Sequence, residues 1–189
     1  DMKRKILSKL IEWKNKKNRK PLIVNGARQV GKTYILKEFG SQCYEKMAYV
    51  NCDKNKTLDK IFSQDYNISR ILLSLSAILH VNIEPENTLI IFDEIQENPT
   101  VLNSLKYFCE DASQYHVAVA GSLLGISLHR DTSFPVGKVD MIKMYPMTFD
   151  EFLMAIDEQP LVDVLASKDF SIIDSLSVRL IDRLRQYYY

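Results

Sequence analysis

Hydrophobic positions follow two rhythms along this chain. Ile6, Leu7, Leu10 and Ile11, with Lys14, repeat at helical spacing and predict an amphipathic helix whose polar side is filled with lysine, ending near residues 16–20. Pro21-Leu22-Ile23-Val24 is instead a continuous apolar run and predicts a buried strand over residues 22–25. Tyr34 to Phe39 reads as a helix, Met47 to Asn51 as a strand, and residues 57–62 as a short helix. Ile68, Ile71, Leu72, Leu75, Ile78 and Leu79 mark a strong amphipathic helix that Asn67 can cap. Pro85-Glu86-Asn87 punctuates the chain before a strand from Thr88 to Phe92. A helix follows over about residues 100–112, opened by Pro99, then a strand from Val117 to Ala120. Residues 125–137 read as irregular, turned by Pro135 and Gly137, and Val139 to Met144 as a last strand. From Thr148 onward only helical patterns remain. Thr148 with Glu151, and Ser171 with Asp174, fit capping boxes, and Leu176, Leu180 and Leu184 share a face of one final helix. The aromatic stretch from Tyr145 to Phe152 reads as core.

Strands alternating with helices predict a parallel sheet covered on both faces. Such sheets bind ligands at the carboxyl ends of their strands. The change of pattern near residue 146 predicts an α/β core over residues 1–145 and a helical extension over residues 146–189.

Composition narrows the class. At 189 residues and 46% hydrophobic, the chain suits one good core with a small appendage. No apolar run approaches the ~18 residues of a membrane span, so no membrane partner is expected. Cys43, Cys52 and Cys109 are too few and too scattered for a disulfide framework or a zinc site, and a reducing cytoplasm suits them. Net charge is +1, but residues 1–20 hold nine Lys or Arg against Asp1 and Glu12. Such a stretch is either a solvated helix face or a contact for the phosphate backbone of a nucleic acid. Asp1 before Met2, and a helix ending in three tyrosines, suggest the N-terminal piece of a longer protein.

The most informative chemistry is the octapeptide Gly26-Ala27-Arg28-Gln29-Val30-Gly31-Lys32-Thr33 between predicted strand and helix. It fits G-x-x-x-x-G-K-[ST], a phosphate-binding loop (Walker A). Its glycines let consecutive N–H groups turn toward an anion, and the helix N-terminus, with Tyr34 next in line, adds partial positive charge. Lys32 can reach the β- and γ-phosphates of ATP, and the Thr33 hydroxyl can ligate Mg²⁺. Downstream, apolar residues 89–92 lead into Asp93-Glu94, a Walker B pattern over residues 89–94. Asp93 suits the Mg²⁺ shell and Glu94 suits a general base acting on water. Ser122, at the end of the next strand, suits a contact to the γ-phosphate or the attacking water. Arg28 is either a phosphate contact or a surface arginine, Arg130 is a candidate arginine finger, and His116 and His129 read as ordinary residues.

These motifs, followed by Gly121-Ser122-Leu123-Leu124-Gly125, Phe134-Pro135-Val136-Gly137-Lys138-Val139 and Tyr145-Pro146-Met147-Thr148-Phe149-Asp150-Glu151-Phe152, occur in an order that resembles the AAA-like ATPases of bacteria and archaea. In that family the ATPase domain precedes a C-terminal domain of unknown function, often described as nuclease-like. The resemblance implies a three-layer α/β/α P-loop core of the additional-strand type. It also implies ATP or ADP with Mg²⁺ as ligands, the roles given above for Lys32, Thr33, Asp93, Glu94 and Ser122, and a C-terminal domain beyond Tyr189. The expected activity is ATP hydrolysis. The alternatives are a nucleotide-dependent binding switch with little turnover that gates an effector, and a small-molecule phosphotransferase. The reading leaves an oligomer open.

Overall fold

The computed structural model describes residues 2–28, 30–122, 134–146 and 148–188. They divide into two compact units: residues 5–145, and residues 146–188 together with residues 2–4.

The larger unit is built on a five-stranded parallel sheet. In chain order its elements are α1 (Met2–Asn15), β1 (Leu22–Asn25), α2 (Lys32–Cys43), β2 (Lys46–Asn51), α3 (Lys56–Gln64), α4 (Ile68–Leu79), β3 (Thr88–Asp93), a 3₁₀ turn (Ile95–Glu97), α5 (Pro99–Asp111), β4 (His116–Gly121) and β5 (Asp140–Lys143). The strand order is β2-β3-β4-β1-β5, every pair parallel. β4 is therefore inserted between β1 and β3. The register sets Asn25 against Gly121 and Asn51 against Asp93, so the strand ends form one edge.

Strand residues alternate between two buried faces. Ile23, Val50, Ile90, Phe92, Val117 and Val119 point to one, where α3, α4 and α5 contribute Leu58, Phe62, Ile71, Leu75, Leu105 and Phe108. Leu22, Val24, Leu89, Ile91, Ala118 and Ala120, also fully buried, point to the other. Each buried Val, Leu, Ile or Phe among them contributes about 1.5–3 kcal/mol relative to exposure, which is why the strands read as unbroken apolar runs. Asn67 and Asn98 cap α4 and α5 through hydrogen bonds from Arg70 N and Val101 N.

The first helix is core. Ile6, Leu10 and Trp13 are buried, whereas Ile11 is 39% exposed. Trp13 meets the rings of Phe39 and His116 edge-on and donates from Nε1 to Lys20 O at 2.8 Å. Four of the nine basic residues are tied into the fold: Lys14 donates to Cys43 O, Lys16 pairs with Asp140 at 2.7 Å, Arg19 donates to Ser113 O at 3.0 Å, and Lys20 to Gly137 O at 2.8 Å.

His116 sits in this aromatic cluster with Nδ1 2.6 Å from the Tyr44 hydroxyl, and its Nε2 is buried without a partner. Burial, then the positive charges of Arg19 and Lys14, push its pKa down to about 4. The unfolded chain thus binds a proton near pH 6.5 that the folded protein refuses until about pH 4. Stability contributed by the neutral imidazole is full above that window and falls as pH drops through it. Chemical denaturation between pH 7 and 4 is expected to show about 2 kcal/mol more loss in the parent than in His116→Gln, which retains a hydrogen-bonding side chain and does not titrate.

The second unit contains α6 (Phe149–Ala155), α7 (Gln159–Ser167), α8 (Phe170–Ser175) and α9 (Ser177–Tyr188) around Leu153, Leu161 and Leu180. Phe149 and Phe152 pack on that cluster, but Tyr145, in the larger unit, is 61% exposed, so the aromatic stretch is only partly core. The Thr148–Glu151 capping box is present. The Ser171–Asp174 box is not. Asp169 caps α8 instead, accepting from Ser171 N and Ile172 N, and the Ser171 hydroxyl is itself spent on Asp169 at 2.7 Å. Nor is there one final helix: Leu176 ends α8, and Leu184 is 38% exposed. The 7%-exposed Glu158 gathers Arg179 and Arg183, both at 2.8 Å, and hydrogen bonds from these guanidiniums hold its carboxyl below the usual range.

Candidate functional site

β1 ends at Asn25, and α2 begins at Lys32. Gly31 makes the turn with φ 86°, a left-handed conformation that favours glycine, and its carbonyl accepts from Ile35 N at 3.0 Å to start the helix. The loop is anchored to the sheet by Gly26 N to Gly121 O at 3.3 Å. Val30 is buried, while Ala27 and Arg28 are exposed. Lys32 is the first residue of α2 and only 8% exposed. Its Nζ donates to Gly26 O at 2.8 Å and Ala27 O at 2.6 Å, so the ammonium lies inside the curve of its own loop. Burial pulls its pKa down, the carboxylates of Glu94 and Asp93 pull it up, and Arg28 adds to the lowering.

One residue on, Thr33 Oγ1 donates to Asp93 Oδ2 at 2.6 Å. This bond joins the loop to the end of β3 across the inserted strand. Asp93 is 4% exposed, and each of its oxygens is engaged: Oδ2 also accepts from Tyr49 Oη at 2.8 Å, and Oδ1 accepts from Glu94 N at 2.9 Å. Burial and the hydrogen bond to Asp93 push the Tyr49 phenol upward, so it stays protonated and remains a donor. Burial, then Asp93, pushes the nearby Cys52 thiol up to about 12, which excludes a thiolate beside the site.

Glu94 follows in the left-handed region at φ 51°, unusual for a residue with a side chain. It opens the 3₁₀ turn, and its carboxylate accepts from Gln96 Nε2. Gln96 Oε1 in turn accepts from Ser122 N at 3.4 Å, just past the end of β4. Loop, acidic pair and Ser122 therefore meet at one sheet edge, as the spacing predicts. Arg28 is at the rim, paired with Glu97 at 3.4 Å. Tyr34 is 57% exposed on the first turn of α2. Gln29, Arg130 and His129 lie outside the described residues, as does most of the segment expected to be irregular.

Sequence reasoning missed Tyr49 and Gln96. Tyr49 faces the site only because β2 pairs with β3, which no local pattern announces. Gln96 had a faint signal: a polar residue followed by a proline-opened helix, within a turn that packs on β4.

A parallel sheet in this order, with a glycine loop between β1 and α2 and the acidic strand one position removed, defines an α/β P-loop NTPase fold. The family model described as "AAA domain" matches residues 18–153, and the chain belongs to that AAA domain family of nucleotide-binding, ATPase-like domains. Among solved structures, PCH-2 of C. elegans is similar, with TM-score 0.50 and 11% identity over 85% of this chain. That likeness concerns the fold alone. The chain spans 46% of the PCH-2 chain. No curated protein matches it. Among the described residues, no helix is long and apolar enough to cross a membrane.

Proposed function

We propose that this domain binds ATP or ADP with Mg²⁺ at residues 26–33 and hydrolyses ATP. The observation that carries the reading is the 2.6 Å bond from Thr33 Oγ1 to Asp93 Oδ2, which sets a hydroxyl and a carboxylate together next to the buried Lys32 ammonium. Among the described residues no group of three metal-ligating side chains exists. A hard divalent ion here would take Thr33, Asp93, phosphate oxygens and waters, the mixed shell that Mg²⁺ favours. The bound ion would neutralise charge on the phosphates.

Lys32 would leave the carbonyls of Gly26 and Ala27 for the β- and γ-phosphate oxygens. The loop amides, the start of α2 and Tyr34 would border the phosphates. Glu94 would take a proton from water as the water oxygen bonds to the γ-phosphorus and the bond from that phosphorus to the β–γ bridging oxygen breaks, releasing ADP and phosphate. Ser122 would border the γ-phosphate. Most of the acceleration would come from positioning and charge stabilisation.

One observation favours a slower device. The Glu94 carboxylate is engaged by Gln96, so a switch that binds nucleotide, turns over rarely and gates a further domain or partner is the second reading. Glu94→Gln separates the two. For the hydrolase, phosphate release falls by roughly 100-fold or more while nucleotide affinity is retained. Equal, trace release from parent and variant would favour the switch, and phosphate passed to an acceptor would favour a transferase.

A further inference from the structure

Gln96 is 5% exposed, so a primary amide is carried into the interior beside the acidic pair. Its two ends face different elements. Nε2 donates to Glu94 Oε2, and Oε1 accepts from Ser122 N at 3.4 Å. The partners fix the orientation of the amide: reversed, its oxygen would face a carboxylate and its NH₂ would face an N–H. The backbone at the end of β4 closes on the same group. A Cβ at Gly121 would lie 2.7 Å from Gln96 Oε1 and 2.5 Å from Ile95 Cγ2, so only glycine allows this approach. The left-handed Glu94 and the 3₁₀ turn after it bring residues 94 and 96 to one side.

We propose that Gln96 is a positioning residue for the hydrolytic step: its amide orients the Glu94 carboxylate and couples that orientation to the end of β4. The inference rests on the hydrolase reading above. A residue serving only as filler would supply volume and no donor. Gln96 supplies a donor to the carboxylate and an acceptor to the strand that reaches Ser122. Any shift of Ser122 on engaging a γ-phosphate would therefore reach Glu94 through one side chain.

Two variants test this in the full chain. Gln96→Met keeps volume without the amide. Gln96→Glu keeps an acceptor for Ser122 N and presents a second carboxylate to Glu94. Both are expected to lower kcat by about 30-fold or more, while KM and the Kd for Mg·ATP stay within about threefold. A change of less than about threefold in kcat for both, a rise in kcat on freeing Glu94, or loss confined to thermal stability with normal turnover per folded molecule, would overturn the assignment. A second readout does not depend on turnover. The side-chain amide resonance of Gln96, assigned by its loss in Gln96→Met, is expected to move in Glu94→Gln. An unmoved resonance overturns the inference even if the parent hydrolyses ATP. A moved resonance in a parent that releases no phosphate supports the coupling and counts only against hydrolysis.

Discussion

Lys32→Ala is expected to weaken Mg·ATP binding by at least ~100-fold. Charge-assisted hydrogen bonds contribute about 1.5–3 kcal/mol each, and two to phosphate oxygens amount to two or more decades of affinity at about 1.4 kcal/mol per decade. Lys32 is 8% exposed and its ammonium is already held inside the loop, so little ordering is required to deliver it. Titration calorimetry reads the effect directly. A thermal melt run alongside separates lost affinity from lost folding, since the substitution also frees the carbonyls of Gly26 and Ala27. An unchanged isotherm would remove Lys32 from the site.

Trp13→Ala is expected to cost about 3–5 kcal/mol of stability, the range for truncating a large buried aromatic. The indole is 5% exposed, wedged against Phe39 and His116, and tied to Lys20 O. Ile11→Ala on the same helix is the control. Ile11 is 39% exposed, so its truncation should change stability by only about 0.5 kcal/mol. Urea denaturation of the two variants tests whether α1 is core. Equal, small effects would return the helix to the role of a peripheral basic arm.

That helix shows where the sequence was hard to read. Its lysines draw attention to a polar face, yet Ile6, Leu10 and Trp13 carry the contact, at spacings of four and three. The strands were easier. Residues 22–24, 89–92 and 117–120 are buried on both faces, and such strands can only be written as unbroken apolar runs. The turn from β1 into α2 was legible because its elements are local: a glycine turn, a helix start and a lysine adjacent in the chain. The rest of the site is not local. Tyr49 reaches Asp93 from a neighbouring strand, and Gln96 meets Ser122 only because β4 ends beside it. Competition between neighbours explains the mistaken cap. Ser171 has the right spacing to Asp174, but Asp169 opens the helix two residues earlier by accepting from Ser171 N and Ile172 N, which places Ser171 inside the first turn.

The most direct test is a crystal structure grown with saturating Mg²⁺ and a non-hydrolysable ATP analogue. The account predicts the β- and γ-phosphates against the amides of residues 30–33, with Lys32 Nζ moved onto their oxygens and the metal between Thr33 and Asp93. A triphosphate bound elsewhere, with Lys32 still on the carbonyls of Gly26 and Ala27, would contradict it.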